Sequence, residues 1–139
     1  MKLRTAFRPS YLVILEGCIG ETVAALEAAE AARHAIDPVV SAALAAIAED
    51  ETRHATLAWR YVGWVLPRQP SLAGTVLATI DSAILEPRAK VAPASLDEHL
   101  LEHGVVGETM RVEIRRRALA EIIRPCAVGL AQRSMPLAA

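Results

Sequence analysis

The sequence is poor in several residue types that would mark out a function at once. It has two cysteines, Cys18 and Cys126, too few for a disulfide framework. A single bridge is open to them, but two reduced core thiols are the plainer expectation, and a cytoplasmic setting goes with that. Positive charge is not in excess: 15 Lys and Arg stand against 16 Asp and Glu, for a net charge of -1 and a pI near 6.4. That balance excludes the basic footprint of a nucleic-acid binder. Long apolar runs are missing too. The run from Tyr11 stops at Glu16, and the run from Pro38 contains Ser41 and meets Glu49-Asp50-Glu51. A membrane-spanning helix needs about 20 nearly uninterrupted apolar residues, so no span is expected. Lys2, Arg4 and Arg8 precede an apolar stretch too short for a signal peptide. Aromatics make up 4% of the chain and there are 7 glycines, while alanine supplies roughly a fifth. Such a composition predicts a mostly helical protein.

What is present is hydrophobicity. Apolar residues make up 53% of the chain and mean hydropathy is +0.30, which excludes disorder. The 139 residues suit one domain, expected over 1–139. At this size folding buries roughly 68% of the unfolded surface, enough for one core without staples. The apolar excess goes into a core, an oligomer interface, or both.

Proline and glycine divide the chain into helices. Ser10 caps a first helix to about His34. Asp37-Pro38 combines a cap with Pro at the first helical position and opens a second helix to Leu66. Pro70-Ser71 opens a third, ended by Glu86-Pro87. Pro93 to Ser95 start a short fourth segment with His103-Gly104 as its C-cap. The last helix runs from about Gly107 to Ala131, kinked at Pro125. No strand-length stretch alternates with period two. The expected helices are about 10–34, 38–66, 71–86, 95–103 and 107–131, an all-α four-helix bundle with a short extra helix. One short repeat, Gly17-Cys18-Ile19-Gly20-Glu21-Thr22 against Gly104-Val105-Val106-Gly107-Glu108-Thr109, fades within a few residues and reads as chance.

The second helix carries the chemistry. At 100° per residue, Leu44, Ile47, Glu51, His54, Ala58, Val62 and Val65 fall within about 80°. Glu51-x-x-His54 is thus predicted to point inward, one turn apart. On the first helix Ile14, Cys18, Glu21, Ala25, Ala28 and Ala32 share a face on which Glu21 is the only charge. A buried carboxylate needs a partner or a proton, and two facing carboxylates repel unless a cation lies between them. Glu on one helix and Glu-x-x-His on the next is half of a carboxylate di-iron arrangement, and the donor set suits iron, with manganese possible. The plainer alternatives are an ion pair of Glu51 with an inward Arg115 and an ordinary core histidine at 54.

Beyond these residues, the stretch from Glu16 to Leu66 resembles ferritin-like proteins, particularly a group frequent in myxobacteria. The resemblance rests on Glu16-Gly17-Cys18-Ile19-Gly20-Glu21-Thr22, Asp37-Pro38, Ile47-Ala48-Glu49-Asp50-Glu51-Thr52-Arg53-His54-Ala55 and Leu57-Ala58-Trp59-Arg60. The segment Arg116 to Ala127 is less specifically similar. The resemblance implies a ferritin-like bundle with a non-haem di-iron site, iron oxidation or storage, peroxide reduction or oxygen-dependent chemistry. If the chain is an enzyme, it implies an oxidoreductase of ferroxidase or peroxidase type. Glu21 and Glu51 would be carboxylate ligands and His54 the imidazole ligand. The departure is that no second Glu-x-x-His follows. Three completions are open: a homodimer (or higher homo-oligomer) sharing two Glu21, two Glu51 and two His54; ligation by His99 and His103, spaced i, i+4; or a degenerate site in a metal-free structural or interaction module.

Overall fold

The computed structural model describes residues 11–86 and 94–134. It holds five helices and, among the described residues, no strand. Helix α1 is continuous but changes pitch: it is π-helical over Val13–Glu21 and α-helical over Thr22–His34. Helix α2 spans Pro38–Val65, α3 spans Leu72–Leu85 and α4 spans Ala94–Glu102. Helix α5 is α-helical over Glu108–Arg117, π-helical over Ala118–Ile123 and α-helical again over Arg124–Ser134. The predicted caps at Ser10, Pro87 and Pro93 lie outside the described residues.

Local chemistry explains the boundaries. The Asp37 carboxylate accepts hydrogen bonds from the N–H groups of Val39 (2.8 Å) and Val40 (3.3 Å), and Pro38 follows as the first helical residue. The turn before it is clamped: Ser41 Oγ donates to the Ala32 carbonyl at 2.7 Å, and the Ile36 N–H donates to the Glu102 carbonyl at 2.9 Å. Gly104 ends α4 in the left-handed region, φ +79°, as a C-cap glycine should. The Val105 N–H then reaches back to the Leu100 carbonyl at 2.9 Å. Pro125 does disturb the last helix. The disturbance takes the form of the π-helical stretch just before it, because Pro125 offers no N–H to the turn above and crowds that turn's carbonyl.

Helix α1 lies at the centre and touches each of the other four. The large core draws Ile14, Cys18 and Ile19 from α1, and Ala58, Val62 and Val65 from α2. Helix α3 adds Val76 and Ile80, and α5 adds Leu119, Ile123 and Ala127. A smaller cluster of Ala31, Leu101 and Val106 closes the α4 end. Each fully buried Ile or Leu contributes about 1.5–3 kcal/mol relative to exposure. Helix α2 rests on α1 through small residues: Ala48, Ala55 and Ala58 are buried. A Cβ built on Gly17 would lie 2.6 Å from Ala58 Cβ, so the two helices cross closer than any other residue at 17 allows. No described helix is long and apolar enough to cross a membrane.

The short repeat separates in space. Its first copy lies in the π-helical part of α1, whereas its second forms the Gly104–Gly107 connection and the start of α5.

Candidate metal centre

Among the described residues, one group of His, Cys, Asp and Glu brings three ligand atoms within mutual reach: Glu21, Glu51 and His54, within 4.8 Å of one another. These are the three residues the sequence singles out. Glu21 closes the π-helical stretch of α1, and Glu51 and His54 stand one turn apart on α2. Wide π turns re-aim the side chains around them and recur at functional sites. The Gly17–Ala58 contact, one turn from Glu21 and one turn from His54, sets the distance between the two helices. Beside it the Trp59 indole N–H donates to Thr22 Oγ1 at 3.4 Å and ties the helices together next to Glu21.

His54 Nδ1 lies 3.4 Å from Glu51 Oε2 and 3.8 Å from Glu21 Oε2. The opposite ring nitrogen, Nε2, faces Asp50 Oδ2 at 3.9 Å, and Arg53 holds Asp50 through a 2.9 Å bond to Oδ1. A carboxylate on the far nitrogen of a histidine is the usual device for fixing a metal-binding imidazole. Asp50 is itself exposed, and its i, i+4 spacing to His54 is the feature in the sequence that brings the two together.

The electrostatics are those of two carboxylates facing each other beside an imidazole. The Glu21 pKa is raised above its ordinary value of 4.5, first by its hydrogen bond to Glu51, then by burial and by repulsion from Glu51; His54 pulls it back down. The protonated form of Glu21 is thus favoured relative to a free glutamate, the direction expected where two carboxylates face each other.

This donor set fits a metal ion. Ligands at about 2.0–2.2 Å from a cation lie at most about 4.4 Å apart, so small side-chain rotations close the cluster on an ion.

One expectation is corrected here. Glu51-x-x-His54 does not point into the core. The Glu51 and Glu21 side chains are 27% and 33% exposed and that of His54 is 54% exposed. Helix α2 packs along Ala48, Ala55, Ala58 and Val62, so its buried arc is rotated away from His54 and Ile47 toward the Ala48 side. The apolar count on the predicted arc was real, but part of that arc faces outward.

The other candidates lie elsewhere. His99 on α4 and His103 in the turn just after it have ring centroids 4.9 Å apart and edge to face, but neither belongs to the three-residue group. Arg115 does not meet Glu51; it pairs with Glu86 at 3.1 Å. It lines a groove of about 480 Å³ between α1, α3 and α5, where Glu27 sits 3.8 Å from Arg111 and burial raises the Glu27 pKa. Cys18, predicted on the Glu21 face, is buried in the core, where burial and then the neighbouring Cys126 thiol push its pKa up to about 12. The 100° projection does not hold in a π-helical stretch; Cys18 is buried while the Glu21 side chain is 33% exposed.

No family model, curated protein or solved structure matches this chain.

Proposed function

We propose that this chain is a ferritin-like four-helix bundle that binds a metal ion, iron first and manganese second, through Glu21, Glu51 and His54, for iron or oxidant handling. The observation that carries the proposal is the meeting of two carboxylates and an imidazole from two helices, their ligand atoms within 4.8 Å of one another. Two hard carboxylates and one borderline imidazole suit ferrous and manganous ions better than soft metals. A cation held between Glu21 and Glu51 would offset the repulsion between the two carboxylates. His54 offers Nδ1 to the same point, and Asp50 at Nε2 keeps the ring turned that way. When bound, iron supplies one-electron chemistry toward dioxygen or peroxide. Three protein donors leave a site half furnished, and a second copy of the chain supplies the other half.

A second reading is a metal-free structural or interaction module, favoured by the exposure of the cluster and by the apolar surface around it. The two separate on titration with ferrous ion under anaerobic conditions. The metal reading expects two ions per dimer, and Glu51→Ala to fold with unchanged helicity while losing the metal. Wild-type protein that takes up no iron or manganese, with Glu51→Ala indistinguishable from it, would sink the metal reading.

A further inference from the structure

We propose that the outward flank of α2 is a docking face for a second copy of this chain, packed antiparallel about a two-fold axis level with Thr52; the inference rests on the metal-centre reading, whose half-site lies beside that axis. Helix α2 buries one arc against α1 and leaves two flanks. At about 100° per residue, Glu49, Thr52, Arg53, Thr56 and Arg60 fall on one of them, the ordinary polar surface of a solvated helix. On the other fall Val39, Leu57 and Trp64, with Ile47 toward the buried arc and Tyr61 half-buried against the core. Val39 is 76% exposed, Leu57 70%, Trp64 54% and Ile47 47%. Single apolar residues on a surface need no explanation, but exposed apolar residues on both sides of Asp50 and His54 along one helix of about 42 Å do.

The arrangement names its own partner, because it is symmetric about its midpoint. In an antiparallel pair centred on residue 52, Val40 meets Trp64, Ala43 meets Tyr61, Ile47 meets Leu57, and Asp50 meets His54. Small residues face large ones, and the acid faces the imidazole. A two-fold interface requires this self-complementarity. Parallel packing would instead set Trp64 on Trp64 and Asp50 on Asp50, a crowded and like-charged arrangement. The antiparallel pair also covers the open side of the metal centre, bringing Glu21, Glu51 and His54 of each chain to the same axis. Metal binding and self-association are then coupled, each strengthening the other.

The test uses the full chain, by analytical ultracentrifugation with and without manganous ion, in a Cys126→Ser background. The expected result is a species of twice the 14.9 kDa chain mass, favoured by the metal. Ile47→Asp is expected to weaken self-association at least 100-fold, whereas Thr56→Asp on the polar flank leaves it unchanged. Register is read by cross-linking. A chain bearing Ile47→Cys, mixed with one bearing Leu57→Cys, forms the mixed disulfide. Neither does so with itself, because like positions lie ten residues apart across the axis, about 15 Å, beyond disulfide reach. A monomer at all metal concentrations, or self-cross-linking of either chain in preference to the mixture, overturns the proposal. If Ile47→Asp loses its helical circular dichroism, the cross-linking result decides alone. Manganese bound to a persistent monomer refutes the interface and spares the metal reading; a metal-free dimer with the mixed cross-link does the reverse.

Discussion

Gly17→Ala is the sharpest probe of what holds the metal centre together. A methyl group at residue 17 would stand 2.6 Å from Ala58 Cβ, against an ordinary carbon–carbon separation of about 3.5–4.0 Å. Both contacting atoms sit on backbones, so no side chain can swing aside, and the helices must part by about 1 Å. Overpacking of this kind costs about 1–3 kcal/mol, and replacing a helical Gly by Ala returns up to about 1 kcal/mol. The expected net loss is about 1 kcal/mol in urea unfolding. The effect on the site is larger, because ligand atoms now within 4.8 Å spread further apart while a metal ion demands the opposite. A loss of at least tenfold in manganous affinity by calorimetry is expected, equal to about 1.4 kcal/mol. Gly74→Ala is the control: nothing lies within 4 Å of a Cβ there, so it should stabilise by about 0.5–1 kcal/mol and leave metal binding alone. If Gly17→Ala behaved like Gly74→Ala in both assays, the idea that this contact sets the ligand spacing would be refuted.

Three further outcomes are expected. The folded chain holds the Glu21 proton more tightly than the unfolded chain, so the carboxylate pair weakens the metal-free fold at neutral pH. That penalty fades as pH falls from the raised folded pKa toward the ordinary 4.5. Glu51→Gln removes the repulsion and should flatten this part of the stability–pH profile; parallel wild-type and variant profiles would count against Glu51 as the cause of the raised Glu21 pKa. Asp50→Asn should lower metal affinity about 10–100-fold with helicity intact, and unchanged affinity would remove Asp50 from its role behind His54. Cys126, exposed, should react with a thiol reagent at once at pH 8, whereas Cys18, buried with a pKa of about 12, should react only on unfolding; two equally fast thiols would contradict the packing of Cys18.

Much of the architecture is legible in the sequence because it follows from local rules. Asp37-Pro38 opens α2 and Gly104 ends α4 for reasons contained in four or five residues. The joint appearance of Glu21, Glu51 and His54 was legible as well, since i, i+3 spacing on one helix and one inward-facing acid on its neighbour already imply a meeting. What was not legible depends on neighbours. A helical projection identifies an apolar arc but not which part of it a partner covers, so Ile47 and His54 read as interior although the buried residues of α2 are Ala48, Ala55, Ala58, Val62 and Val65. The π-helical stretches were hidden because they arise from packing and from Pro125 acting on the turn before it. The closeness of Gly17 to Ala58 looks, in sequence, like any glycine and any alanine.

The π-helical start of α1 has a consequence for phase. Each i→i+5 turn holds one residue more than an α turn, so the stretch absorbs surplus chain within the same axial length. Residues before it are turned relative to those after it by about 100° for every residue absorbed. Winding the same residues as an ordinary α-helix, with none removed, would dephase its two halves. Ile14 and Cys18 would swing off the core, or Glu21 off Glu51 and His54, because the two sets could no longer be satisfied together. The surplus turn thus works as a gear between a segment timed to the hydrophobic interior and a segment timed to the carboxylates of the neighbouring helix.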